Sequence, residues 1–417
     1  MSRPRPPLLL PVASLVLTAV ASAQAARGGD SPYTPAPTNL DWKPIGLEPE
    51  PWRPAPLKDW VGLRFEGGEL GMAFAGRVIW EGSRAFDGGL EDRFRDRLFA
   101  DAAVDWSLEK SFGLKGTSLR LEGYHREGPS SEEDTATLQG ISSLDGPEET
   151  EVREAYWRQE FGGGFAGFKL GRLDAGRDIQ RFEYMRELQG RAFAYTPTIY
   201  DYPTRPDQGD GVELFVTPEP EMTFRLDVID RNDSPGLYPD QDGRSYMILL
   251  EGAFEWWDEQ RRGRIRMGTW RHTGAFDDVN GVRRNELWGW WVGVEKDLLR
   301  VEDGRGGAFA VSAFSQLAKG DRFVQFVRDQ WVLGARVQGL IPGRARDSLG
   351  LALSKAYTNK PQAGGVDGNE LVVETFYRVE LLETLVLQPD LQFWHQPGGD
   401  RDREDMWVFQ VRAAFVF

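Results

Sequence analysis

The sequence predicts an all-β protein, a closed 16-stranded antiparallel transmembrane β-barrel with short periplasmic turns and long extracellular loops. Three observations predict it: sixteen segments alternate apolar and polar residues, the connections between them alternate in length, and the chain ends inside such a segment. An even strand count places both ends of the barrel on the periplasmic side. The predicted strands lie near 69–80, 97–109, 117–126, 151–160, 165–172, 211–217, 222–230, 244–256, 262–271, 286–297, 306–317, 330–340, 347–357, 370–381, 384–395 and 406–417.

Long and short connections between these strands alternate along the chain. A soluble β-sandwich has no reason to keep that order, whereas an outer-membrane barrel places short turns in the periplasm and long loops outside. The longest connection is 173–210, and the tightest is 382–383. The connection 81–96 is expected to be long as well.

The last predicted strand ends at the aromatic residue Phe417. One phase of its alternation is apolar and includes Trp407 and Phe409, while the other contains Gln410 and Arg412. Closure pins such a strand against the first one and leaves no unpaired edge. We therefore expect the apolar phase to face lipid and Gln410 and Arg412 to face the lumen.

The N-terminus predicts export. Arg3 and Arg5 precede the apolar run Leu8–Val20, and small residues follow it, which is the pattern of a secretory signal peptide over residues 1–25. A membrane anchor is the alternative, but a run of about 13 residues is shorter than the roughly 20 that a spanning helix needs.

The next segment, 26–60, predicts a Pro-rich periplasmic linker. Eight prolines between positions 31 and 60 oppose both helix and strand pairing. The remaining residues, 61–417, are predicted to form the outer-membrane barrel domain.

Composition excludes several classes of function. A net charge of −15 argues against nucleic acid as a partner, and the absence of cysteine excludes disulfides and thiol chemistry. Three histidines, far apart in sequence, disfavour a catalytic triad or a His metal site, so no cofactor and no metal are predicted. The acidic segments 240–243 and 277–278 have calcium-ligand chemistry, but solvated turns are the favoured interpretation.

Tryptophans near the strand ends predict aromatic girdles at the two membrane interfaces. Sugar stacking and core packing are the alternatives for these side chains. The residues are Trp106, Trp157, Trp256, Trp257, Trp288, Trp290, Trp394 and Trp407.

Several segments resemble the carbohydrate-selective porin family, the OprB-type porins. They are 154–176, 211–236, 334–359 and 372–399, and the last combines a tight turn, "LQPDLQ" and a Pro-Gly-Gly loop. The resemblance extends over most of residues 60–417. It implies a sixteen-stranded barrel in outer-membrane lipid that passes mono- or small oligosaccharides by passive diffusion, and it is compatible with a homo-oligomer such as a trimer.

Two other functions stay open at this point. A general or anion-preferring porin is the alternative within the channel class, because the long connection mixes Arg and acidic residues. An outer-membrane barrel enzyme is the alternative from a different class, and the scarcity of histidine speaks against it.

An open sixteen-stranded lumen must be narrowed to select a solute. The connection 173–210 is the third long loop, which folds inward in porins of this size, and its charged and aromatic side chains suit a constriction. Inward residues of nearby strands would face it. The candidate substrate-binding and constriction residues are Arg172, Asp174, Arg177, Asp178, Arg181, Glu183, Tyr184, Glu213, Arg225, Asp227 and Arg266.

Overall fold

The computed structural model describes residues 71–178, 180, 182–200, 208–231, 245–258, 261–278, 280–302, 308–359, 368–382 and 384–416. Backbone proximity divides the chain into Met1–Lys43 and Pro44–Phe417, and all described residues belong to the second unit. The predicted signal peptide and Pro-rich linker lie outside the described residues.

Sixteen antiparallel strands close into one barrel, which confirms the predicted fold class. We number the barrel strands in chain order. They are β1 Met72–Asp87, β2 Phe94–Ser107, β3 Thr117–Glu127, β4 Glu149–Phe161, β5 Ala166–Leu173, β6 Gly209–Glu219, β7 Met222–Asp230, β8 Tyr246–Asp258, β9 Arg261–His272, β10 Leu287–Glu302, β11 Ala308–Lys319, β12 Val327–Gln338, β13 Ser348–Thr358, β14 Asn369–Leu382, β15 Leu385–His395 and β16 Met406–Val416.

The barrel closes where β1 pairs with β16. Trp80 lies opposite Ala413 and Glu81 opposite Arg412 in this ladder. The Glu81 carboxylate is fully buried in the lumen wall, where it accepts hydrogen bonds from Arg97 on β2 at 2.8 Å and from Arg412 Nε at 2.9 Å. An ion-pair cluster therefore joins the first, second and last strands.

Side chains alternate between the lumen and the outer surface, as the period-2 pattern predicts. On β16, Val408 and Gln410 are fully buried, whereas Phe409 is 46% exposed. On β15, Gln392 is buried and its neighbours Leu391 and Phe393 are on the outward phase.

The first long connection is shorter than predicted. Strand β1 continues to Asp87 and β2 begins at Phe94, so residues 88–93 replace the expected 81–96. The polar and small residues near Gly82 are typical of a turn. In the structure this segment stays in the sheet, because β2 and β16 flank it and pair with it on both sides.

Three long connections define the extracellular side of the site: loop 2 (128–148), loop 3 (174–208) and loop 8 (396–405). The helices in the described part of the chain are short turns, and none has the length and hydropathy that a membrane-spanning helix requires.

The girdle prediction is wrong for Trp394. Its side chain is fully buried on the lumen side, where it packs with apolar residues of loops 2 and 3 and donates to the Gln392 side-chain oxygen at 3.0 Å. By contrast, Trp157 and Trp288 are exposed on the outer surface. Trp257 is exposed as well, but it lies opposite Arg262 on the lumen phase of β8. An inward tryptophan and a girdle tryptophan occupy similar positions near a strand end, so sequence position alone does not separate them.

The closure cluster gives a stability prediction. Glu81→Gln removes the buried carboxylate that Arg97 and Arg412 share, and we expect a loss of about 3 kcal/mol in the free energy of unfolding, because Arg412 then loses its carboxylate partner and the buried Arg97 keeps one carboxylate partner, Asp145. Urea unfolding of the refolded barrel in detergent, followed by tryptophan fluorescence, measures this.

The matched control is Asp92→Asn, which breaks the exposed Arg84–Asp92 pair. We expect little change there. Equal unfolding midpoints for the two variants would contradict a structural role for the Glu81 cluster.

Candidate functional site: the loop 3 constriction

Loop 3 enters the barrel because its apolar side chains find apolar partners in the lumen. Phe182, Met185, Leu188 and Phe193 are fully buried. They form one core with inward-phase residues of the wall, namely Phe314, Val332, Ala352, Val372, Phe376, Trp394, Met406 and Val408. The lumen is thus partly filled by a second hydrophobic core that the strands alone could not form.

Close packing of the loop requires glycine on the wall. A Cβ at Gly293 would lie 2.3 Å from the ring of Phe182, which is far inside van der Waals contact. The missing side chain on β10 therefore forms the cavity that receives this ring.

The two ends of loop 3 are held by a separate apolar cluster. Leu173, Ala175 and Ile199 pack with Trp270 and Trp291 on β9 and β10. The loop therefore descends and returns along the same part of the wall.

Glu183 is the electrostatic anchor of loop 3. Its two carboxylate oxygens accept hydrogen bonds from Arg262 at 2.5 Å and from Arg264 at 3.0 Å, both on β9. Glu255 on β8 pairs with the same two guanidiniums at 2.8 and 2.5 Å. Burial raises the pKa of the Glu183 carboxyl, but the guanidiniums of Arg264 and Arg262 outweigh that effect and hold the pKa below its ordinary value.

Tyr184 adds two hydrogen bonds to β10. Its backbone N–H donates to Glu295 at 3.1 Å, and its phenol donates to Asp297 at 2.5 Å. Burial and the hydrogen bond to Asp297 raise the pKa of the phenol, so it remains a donor at neutral pH. Farther along the loop, Glu187 accepts from Arg336 at 2.7 Å and from Ser348 at 2.8 Å.

A polar pocket of about 110 Å³ lies beside these anchors. Arg225, Glu251, Glu255 and Arg266 line it. Glu251 accepts from Arg266 at 2.9 Å and from the backbone N–H of Gln180 at 2.8 Å, so loop 3 forms part of the same network. Two of the predicted wall residues, Arg225 and Arg266, are therefore brought together.

The other predicted wall residues lie on β6 and β7. Glu213 and Asp227 are buried and directly opposite each other in the ladder. Lys169 on β5 contacts Glu213 at 3.2 Å. This row continues the lumen lining beside the pocket.

Asp174 connects the start of loop 3 with β4, the neighbour of β5. Its carboxylate lies 3.7 Å from Arg153 on β4, which also contacts Glu122 at 3.5 Å. The Arg153 guanidinium lies over the rings of Phe99 and Tyr124, at 5.2 and 4.5 Å from their centroids. Two aromatic rings thus orient a guanidinium that the sequence analysis missed, because its role depends on strand register rather than on a motif.

Arg172 differs from the expectation. It lies in the outward phase of β5 with Phe168 and Leu170, and its Nε donates to the backbone oxygen of Val152 at 2.7 Å. The register that places Lys169 in the lumen turns Arg172 away from it, so these contacts do not support a place in the constriction. The side chains of Arg177 and Asp178, and all of Arg181, lie outside the described residues.

Loop 2 also enters the lumen, which the sequence did not indicate. The backbone oxygen of Ile141 accepts from Gln392 at 2.9 Å and from Gln410 at 3.0 Å. Loop 2 touches loop 3 where Ser143 N–H donates to the Gln189 backbone oxygen at 2.8 Å. Because these contacts use backbone groups of loop 2, the small, polar composition of 128–148 was the feature of the sequence that could have indicated them.

Other chemistry is limited to local roles. Asp278 accepts from the backbone N–H groups of Asn280 and Val282 at 2.9 and 3.0 Å and pairs with Arg284, so it closes a turn. Within the described ranges, no group of three His, Cys, Asp or Glu side chains is arranged to hold a metal ion.

A closed sixteen-stranded barrel whose lumen is lined by paired arginines and carboxylates and narrowed by inward loops defines a porin. Residues 100–417 match the model of the carbohydrate-selective porin, OprB family, and the chain belongs to this family. It is an outer-membrane carbohydrate porin.

Known relatives agree over nearly the whole chain. Porin B of Pseudomonas aeruginosa is 24% identical over 423 residues, which cover 87% of this chain and 91% of the relative. The putative porin QuiX of Acinetobacter baylyi is 22% identical over 416 residues, covering 87% and 92%. The high-pH structure of Pseudomonas putida OprB shares the fold with a TM-score of 0.77 at 18% identity, covering 86% of this chain and 97% of that one.

The lowered pKa of Glu183 predicts how the constriction responds to acid. A depressed carboxyl pKa means that the ion pairs with Arg262 and Arg264 are fully present at neutral pH and are lost as pH falls through the folded-state pKa, which lies below the ordinary value of a glutamate. We expect single-channel conductance to stay level near neutral pH and to become larger and noisier only in acid, below the ordinary pKa of a glutamate.

Glu183→Gln is the control for this titration, because it has no carboxyl at that position. Its conductance should lack the acid transition. An unchanged transition in the variant would assign the effect to other groups.

Proposed function

We propose that loop 3 forms the constriction at which this porin selects sugars. The observation that carries the proposal is the docking of Glu183 between Arg262 and Arg264, which fixes the loop against the inner wall. Glu183 and Tyr184 on the loop, and Asp174 at its start, would then face the passage together with the wall residues Glu213, Arg225, Asp227 and Arg266.

The chemistry of this lining suits carbohydrates. Guanidiniums donate and carboxylates accept, so an alternating set offers hydrogen bonds to the hydroxyls of a pyranose. Because these guanidiniums and carboxylates are already hydrogen-bonded to one another, only some of their donors and acceptors can bind a solute. Binding therefore stays weak and reversible, as flux requires.

Charge balance favours neutral solutes over anions. The loop 3 anchor and the adjoining pocket have four guanidiniums, Arg225, Arg262, Arg264 and Arg266, against five carboxylates, Glu183, Glu251, Glu255, Glu295 and Asp297. An anion-preferring pore needs a net positive constriction. The described residues that line the pocket include no histidine to act as a general base, which disfavours the enzyme alternative.

The apolar outer surface supports contact with outer-membrane lipid. Large apolar side chains such as Leu170, Leu214 and Leu333 are about half exposed on outward phases. A homo-oligomer such as a trimer stays a prediction.

Sugar-dependent conductance tests the proposed function. The refolded protein in a planar bilayer should show stepwise conductance that falls saturably with glucose, maltose or sucrose, because a bound sugar occupies the constriction. Steady conductance that ignores all three sugars would favour a general porin. A folded, heat-modifiable barrel without conductance would reopen the enzyme alternative.

Glu183→Gln tests the residue assignment. The substitution leaves Arg262 and Arg264 with less negative charge nearby, so we expect a shift of the reversal potential toward anions and roughly tenfold weaker sugar block. Asp92→Asn, at the exposed Arg84–Asp92 pair, is the control and should match the wild type. If both variants behaved alike, Glu183 would not belong to the constriction.

A further inference from the structure

Two glutamates on one strand hold the two inward loops through the loops' backbones. Glu370 and Glu374 lie four residues apart on the lumen face of β14, and both are fully buried. The Glu370 carboxylate faces loop 2, and the Glu374 carboxylate faces loop 3.

The two contacts have the same geometry. The Glu370 carboxylate accepts one hydrogen bond at each oxygen from consecutive amides of loop 2, Leu138 N–H and Gln139 N–H, both at 2.9 Å. The Glu374 carboxylate does the same with consecutive amides of loop 3, Gln189 N–H at 2.5 Å and Gly190 N–H at 3.0 Å. Glu370 also accepts from Gly398 N–H of loop 8 at 2.6 Å.

These backbone amides take the place of a cationic partner. In the described part of the chain, neither carboxylate forms an ion pair with Arg or Lys, and Arg336 and Arg412 pair instead with Glu187 and Glu81. Gln392 on the wall also donates to Glu374, at 3.3 Å, but the paired backbone amides are the contacts that undocking removes. Because a buried carboxylate that loses hydrogen bonds is costly, each glutamate favours the conformation in which its loop is docked.

Loops 2 and 3 are also bound to each other beside the two glutamates. Ser143 N–H donates to the Gln189 oxygen at 2.8 Å, and Arg191 N–H donates to the Gly140 oxygen at 3.1 Å. The segment bound by Glu374 is therefore continuous with the segment bound by Glu370.

We infer that Glu370 and Glu374 are positioning residues that hold loops 2 and 3 as one constriction element, so that releasing either loop loosens both. This rests on the proposed role of loop 3 as the constriction. The glutamates act on sugar selection through loop backbones and do not touch the solute.

Gly190 allows a test from the loop side of the contact. A Cβ at this position would lie 2.5 Å from the Glu374 carboxylate and 3.2 Å from the ring of Phe193. Gly190→Ala therefore disturbs the contact from the loop side, with the residues of the wall unchanged. Glu374→Gln changes the wall side of the contact and leaves the loop sequence intact. Its side-chain amide can accept from one backbone N–H but presents a donor to the other.

The first measurement is hydrogen exchange, by mass spectrometry, of peptides that contain residues 138–139 and 189–190 in the refolded barrel. We expect Glu374→Gln and Gly190→Ala each to raise exchange in both segments by at least about tenfold, since a hydrogen bond to a charged group is lost. Their combination should add little, because both break the same contact. Glu380→Gln, on the same strand at its periplasmic end, is the matched control and should leave both segments protected.

The inference is overturned if Glu374→Gln leaves residues 189–190 protected, or if exchange rises there while residues 138–139 stay protected. Should Glu374→Gln fail to fold, Gly190→Ala gives the same readout with the wall unchanged.

Sugar block of the channel separates this inference from the proposed function. Faster exchange together with weaker block supports both. Faster exchange with an unchanged block supports the role of the glutamates and contradicts the proposed selection by loop 3.

Discussion

Satisfaction of backbone hydrogen bonds is the constraint on which this structure depends. Within a bilayer every N–H and C=O must find a partner in the protein, and a sheet achieves this only by closing on itself. Pairing of β1 with β16 provides that closure, and the Glu81–Arg97–Arg412 cluster lies at the seam. Strand tilt and number then fix a lumen wider than the wall side chains can fill.

The inward loops solve the problem that closure creates. An unfilled lumen would pass solutes without selection, and an apolar inward phase would face water. Loop 3 covers the apolar part of the wall with Phe182, Leu188 and Phe193, and it is oriented by Glu183 and Tyr184. Hydrophobic burial supplies most of the docking free energy, whereas the charged contacts fix the register.

The sequence predicted the sixteen strands because each strand alternates with period 2 against a lipid-facing surface, but β1 and β10 continue past their predicted ends, to Asp87 and Glu302. It singled out Glu183 and Tyr184 because charged and aromatic residues are concentrated in the longest connection, and the role of both at the constriction stays a prediction. It missed loop 2, whose docking uses backbone amides that have no sequence signature. The sequence predicted Arg172 in the constriction and Trp394 in a girdle. Which side of the barrel wall each side chain faces depends on strand register and packing, and the local residue pattern does not contain that information.

The docking contacts also explain why the lumen is chemically asymmetric. Loop 3 is anchored on β8–β10 and on β12–β14, and loop 2 on β14–β16. The row formed by Lys169, Glu213 and Asp227 lies on β5–β7, where Lys169 contacts Glu213 across the strands at 3.2 Å. The described contacts of loop 3 with β8–β10 therefore place these anchors beside this charged row, so the two sets of ion pairs together give this side of the lumen its polar character.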